Sequence, residues 1–127
     1  MITGGAIGTT GMDNLIAGTY PPAVAKIFDL REPGIIERGT VLGRDSNGKY
    51  FVLGATETPE GESEPVAISG TASVIVADTT EEEDTVVSAY VSGCFYRNLL
   101  TVADGYTLTE ADENNLRLGG IHLRDGI

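Results

Sequence analysis

The 127-residue chain has no tryptophan, one cysteine and one histidine, and only eight basic residues against 19 acidic ones. Each scarcity removes a class of function. Cys94 alone forms no internal disulfide, so neither an oxidising compartment nor export is expected. A zinc centre takes roughly three or four nitrogen or sulfur ligands, and Cys94 and His122 supply only two. Aromatic residues make up 6% of the chain, which leaves few rings to stack on sugars. Met1-Ile2-Thr3-Gly4-Gly5 lacks the basic and apolar regions of a signal peptide. No run approaches the roughly 18 apolar residues of a membrane span. The protein is expected in the cytosol where it is made, without a membrane partner.

The shortage of positive charge is also uneven. The net charge is −11, and no basic residue occurs between Lys49 and Arg97. That interval holds Glu57, Glu60, Glu62, Glu64, Asp78, Glu81, Glu82, Glu83 and Asp84, nine of the 19 acids. Phosphate backbones would be repelled, so a nucleic-acid partner is not expected. The acidic runs read as solvated surface, with a basic partner or repulsion between copies as the other use.

What the chain has in excess is glycine, 17 residues, about twice the average usage of roughly 7%. Gly4, Gly5, Gly8, Gly11 and Gly18 fall in Met1 to Thr19, where no strand or helix period emerges. Glycine loses the most backbone freedom on ordering, and Tyr20-Pro21-Pro22 reads as a stiff hinge. Residues 1–22 are therefore expected to be a flexible N-terminal arm, and residues 23–127 one folded body of ordinary domain size.

The body reads as mainly β (α+β) with one or two short helices. Strands are expected at Ala23–Phe28, near Thr40–Gly43, at Lys49–Leu53, Pro65–Ser69, Ser73–Ala77 and Thr85–Val91, the last being the richest in β-branched and aromatic residues. Asn47-Gly48 between strand formers is a hairpin signal. Gly54 to Glu64 reads as an acidic loop and Thr79 to Asp84 as an acidic turn. Thr109, with Asp112 three residues on, resembles a capping box, Gly119-Gly120 a helix stop, and Ile121–Leu123 a last short strand.

No constellation rises to a catalytic site. Gly5, Gly8 and Gly11 lack both the spacing of a phosphate loop and its Lys-Ser/Thr ending. Asp45-x-Asn47-Gly48 opens like a calcium loop, but its glycine comes too early and Thr56 stands where the bidentate acid belongs. Glu81-Glu82-Glu83-Asp84 points its carboxylates in different directions. Glu110 and Asp112 suit the first turn of a helix. A Cys94–His122 pair is the one arrangement a small hydrolase could use. The reading is of a protein that is not an enzyme and has no metal or cofactor.

Several stretches resemble the head decoration proteins of lambda-like tailed phages. They are Arg38-Gly39-Thr40-Val41-Leu42-Gly43-Arg44, Gly48-Lys49-Tyr50, Pro65-Val66-Ala67-Ile68, Ala89-Tyr90-Val91-Ser92-Gly93-x-Phe95-x-Arg97-Asn98-x-Leu100-Thr101, and Leu116-Arg117 with Gly119/Gly120-Ile121-x-Leu123. The block from Tyr90 to Thr101 is the most specific, and the whole covers residues 24 to 123. Cys94 stands where that family usually has an acid, Gly119-Gly120 where a charged residue precedes the glycine, and residues 78–85 carry extra acids.

The resemblance implies a compact β-tulip-like body that forms homotrimers on three-fold and quasi-three-fold positions of an expanded capsid. It implies the major capsid protein as partner, the virion exterior as location, and the host cytoplasm before assembly. The arm would add a strand to the coat protein, with Thr9, Thr10, Leu15, Ile16, Thr19, Tyr20, Pro21 and Pro22 as expected contacts. The competing reading is another small phage or bacterial β-module, a tail accessory or carbohydrate-binding domain.

Overall fold

The computed structural model describes residues 15–18 and 20–125. Alternation of apolar residues builds a sheet from β1 (Val24–Asp29), β2 (Val41–Arg44), β3 (Tyr50–Val52), β6 (Thr71–Val76), β7 (Val86–Tyr96) and β8 (Ile121–Arg124). Its order is β1-β7-β6-β2-β3, antiparallel throughout, and β8 adds to β7 in parallel. A separate two-stranded sheet joins β4 (Thr56–Glu57) to β5 (Val66–Ala67). Helix α1 (Glu110–Gly119) is the one α-helix among the described residues. The fold is mainly β.

Neighbouring residues divide between two cores. Val41, Ala72, Ile75, Phe95, Leu116 and Ile121 belong to one cluster, with Tyr90 packed against it. Leu42, Val74, Val76, Val87 and Ala89 belong to the other, with Leu30, Ile36 and Tyr50. Successive strand residues face opposite sides, so these clusters lie on the two faces of one sheet. The sheet also rolls on itself. Leu30, just past β1, makes a parallel bridge with Tyr50 of β3, and the Arg31 amide donates to the Tyr50 carbonyl at 2.7 Å. The Phe28 and Tyr50 rings lie 4.7 Å apart. The second cluster is thus the inside of a small barrel, and the first lies outside it, under α1.

Strand β7 is the spine. It runs to Tyr96, five residues past the Val91 where the expected strand ends. Val24 faces Ser92 while Ala25 faces Tyr90, which leaves Val91 as an extra residue on β7. An extra residue reverses the face that later side chains take. Phe95, an odd number of residues after Tyr90, therefore returns to the same face, with ring centroids 5.1 Å apart. Gly93 sits at φ +144°, and a Cβ there would lie 2.7 Å from the Phe95 ring. A side chain at 93 would displace Phe95.

Local signals explain the other elements. Asp45 accepts from the amides of Asn47 and Lys49, both at 2.9 Å, closing the β2–β3 turn. The Thr109 side chain accepts from the Asp112 amide, and Asp112 accepts from the Thr109 amide, so the capping box caps α1. The helix stops at Gly120 and buries a single residue, Leu116, worth about 1.5–3 kcal/mol of burial. Pro65–Ser69 departs from expectation: only Val66 and Ala67 form strand, both exposed, and they pair inside the segment expected to be a loop. An apolar run without a second layer to bury it stays short.

Candidate interaction surface at the N-terminal junction

The described chain begins in the core. Leu15 is 3% exposed and belongs to the cluster under α1. The Tyr96 amide donates to the Leu15 carbonyl at 3.0 Å and the Ala17 amide to the Cys94 carbonyl at 2.7 Å. Ile16 bridges Phe95 in antiparallel sense. Residues 15–17 therefore extend the edge of β7 that β1 occupies. The bulge makes this possible, since it turns Cys94 and Tyr96 toward that edge. The Arg124 guanidinium adds a contact to the Ala17 carbonyl at 3.4 Å.

The expected arm residues thus separate into groups. Thr9, Thr10 and Thr19 lie outside the described residues. Leu15 is not a contact residue available to a partner: it is core, so packing of the described chain reaches back to residue 15, ahead of the expected start of the body at 23. Leu15-Ile16-Ala17 is a single short apolar step in a segment without periodicity, which is why the burial of Leu15 could not be read from sequence. Ile16 keeps 40% exposure beside Phe95, and Tyr20 is 87% exposed. The Tyr20–Pro21 peptide is cis, Pro21 is half-buried and Pro22 exposed. The Ser92 hydroxyl donates to the Pro22 carbonyl at 2.9 Å, tying the return of the chain into β1. Ile16, Tyr20 and Pro22 form the accessible part of the junction.

The chemistry-bearing side chains fall elsewhere. Cys94 is buried in β7 and faces His122 of β8 across the parallel register, while His122 is exposed. No hydrogen bond joins the two side chains among the described residues. Asp84 accepts from the Glu81 amide at 2.8 Å, which makes Glu81–Asp84 a self-closed turn. No group of three or more His, Cys, Asp or Glu side chains that could hold a metal occurs among the described residues. Among the described residues no helix is long and apolar enough to cross a membrane.

The charged cluster that sequence reasoning missed centres on Arg31. Its guanidinium donates to Asp45 at 2.6 Å and to both oxygens of Glu57 at 2.9 Å. These bonds, to Glu57 first and Asp45 second, raise the Arg31 pKa above its ordinary value. The Lys49 amide, followed by Arg31 and the Asn47 amide, holds the Asp45 carboxyl below the usual range against the opposing effect of burial. Arg97 is held similarly between Glu113 and Asp125, with its pKa raised mainly by Glu113. The Arg38 guanidinium lies over the Tyr90 ring and donates to its hydroxyl and to the Ala77 carbonyl. These cations are committed to tying the fold together.

No protein-family model matches the chain, and no curated protein is significantly similar to it.

Proposed function

We propose that the chain is a head decoration protein of a lambda-like tailed phage. In this reading it catalyses nothing and takes no cofactor. It forms a trimer that binds the major capsid protein at three-fold and quasi-three-fold sites of the expanded head, and it stabilises that shell against internal DNA pressure. Its place is the capsid exterior, with neither nucleic acid nor membrane as partner.

The observation that carries the reading is the resemblance of Tyr90 to Thr101, the block that builds the spine strand β7 and the turn after it. Of the other resembling stretches, Arg38–Arg44 meets that block through the Thr40–Thr101 bridge and the Arg38–Tyr90 hydrogen bond. Ile121–Leu123 pairs with it in β8, and Gly48–Tyr50 lies further off, at the β2–β3 turn. Pro65–Ile68 lies apart, in the smaller sheet. The junction supports the reading physically. Leu15 anchors its own end of the described chain to the β7 edge, a defined point from which, in this reading, the arm would reach the coat protein. Strand addition uses main-chain hydrogen bonds, which a Gly/Thr segment supplies without large side chains. One segment that orders on binding binds weakly. Three on a rigid trimer gain avidity of roughly 10²–10⁴ where geometry permits.

The test compares two truncations on purified expanded and unexpanded heads. Removing residues 1–14 is expected to leave folding unchanged and to abolish binding to expanded heads. Removing residues 1–19 also takes Leu15 from the core and is expected to lower stability, by about 2–5 kcal/mol on the scale of large-to-small core changes. Normal decoration by the 1–14 truncation would overturn the arm mechanism. Failure of the full-length chain to bind either head would overturn the capsid reading itself.

A further inference from the structure

We propose that residues 54–70 form a hinged flap over the seam of the barrel, latched shut by Arg31. The proposal is independent of the capsid reading. Leu53 and Ala72 are buried, and no residue between them is. The segment includes the small β4–β5 sheet, which stands apart from the main one. A stretch this long with no buried side chain has little of its own to hold it down.

Both ends of the segment are glycines pressed against aromatic rings. Gly54 sits at φ +89°, and a Cβ there would lie 2.3 Å from Tyr106; a Cβ on Gly70 would lie 2.5 Å from the Phe51 ring. The ends are thus pinned by packing while the span between them has no fully buried side chain. Within the span, the amide of Ile68 donates to the carbonyl of Ala55, and that of Glu62 to Pro59, so these bonds move with the flap.

The latch is the Arg31 side chain. On the barrel side it donates to Asp45, whose other oxygen is held by the Asn47 and Lys49 amides. On the flap side it donates to both oxygens of Glu57. Under the flap, at the seam where the chain leaves β3 after Arg31, lies a cleft of about 240 Å³. Ile35, Ile36, Phe51, Val52, Ala55 and Ile68 give it apolar walls. The flap also carries Glu60, Glu62 and Glu64, all exposed, whose mutual repulsion favours opening.

Hydrogen exchange on the full chain tests this, comparing wild type with Glu57→Ala. Amides of residues 54–70 should exchange about twofold to fivefold faster in the variant, as expected for losing a partly exposed ion pair in which one guanidinium nitrogen bridges both carboxylate oxygens. Amides of β2, β6 and β7 should be unchanged. Wild type in about 1 M salt, where exposed pairs are screened, should show the same segment-limited acceleration. Unchanged exchange in residues 54–70 would overturn the latch. Acceleration spreading equally to β2, β6 and β7 would overturn the flap, since the segment would then open only with the whole barrel.

Discussion

Strand β7 and the apolar stretch Val66–Ile68 within the segment 54–70 share a texture and have opposite fates. Ala89-Tyr90-Val91 of β7 packs on both faces of the sheet, with Ala89 in the barrel and Tyr90 under α1. Val66-Ala67-Ile68 has the same apolar texture, yet two of its residues form strand and both are exposed. The difference is in neighbours. Strand β7 has β1 and the residue 15–17 segment on one edge, and β6 and β8 on the other. The β4–β5 pair has only itself. β-propensity expresses fit to a half-buried pleated surface, and a surface of that kind exists on one side of this comparison only.

The sharpest way to break the contrast is to weaken β7 at its most buried point. Phe95 is fully buried, lies tilted against the Tyr90 ring, and makes a backbone bridge with Ile16. Phe95→Ala is expected to cost about 3–5 kcal/mol, read as a lower midpoint in chemical denaturation. Docking of residues 15–17 should loosen with it, so exchange at Ala17 should rise even under conditions where the protein stays folded. A change confined to less than about 1 kcal/mol would mean that β7 is not the spine.

Phe95 also shows how far the sequence could be read. The strands of the main sheet, the Asn47-Gly48 turn, the Thr109 capping box and the stop at Gly120 were legible, because each depends on residues a few positions apart. The place of Phe95 depends on the extra residue at Val91, which no period reveals, and the burial of Leu15 depends on a docking site some 80 positions downstream. The parallel pairing of β8 with β7 and the Arg31 cluster are long-range for the same reason. Where a site rests on such pairings, local pattern names the residue types without bringing them together.

A middle-sized effect is expected at α1, which lies between the two extremes of the comparison. It buries one residue, as a rigid element with a small core contribution, and relies on its first turn. Thr109 accepts from the Asp112 amide, and Asp112 accepts both from the Thr109 amide and from the Tyr106 hydroxyl, which raises the Tyr106 pKa. Thr109→Ala is expected to lower stability by about 1 kcal/mol, within the usual range of roughly 0.5–2 for a lost cap. Because the Tyr106 ring packs on Gly54, exchange in residues 54–70 should rise slightly in the same variant.

The smallest expected change is in the pH dependence of stability, and it distinguishes the two carboxylates that share Arg31. Asp45 lies on the barrel side of the latch with its side chain almost wholly buried, and Glu57 lies on the exposed flap. The Lys49 amide, Arg31 and the Asn47 amide depress the Asp45 carboxyl in the folded protein. A depressed acid contributes stability above its unfolded value, about 3.9 for aspartate, and loses it as pH falls through the folded value. Wild type should therefore lose stability in acid more steeply than Asp45→Asn, whose amide oxygen can still accept from the turn but does not titrate. Their unfolding midpoints should be furthest apart near neutral pH and converge below about pH 3.9. Glu57→Ala, on the exposed flap, is expected to change exchange in residues 54–70 rather than the unfolding midpoint of the whole fold. Parallel curves for Asp45→Asn would instead place Asp45 outside the cooperative unit, and the barrel side of the latch would then behave like the flap.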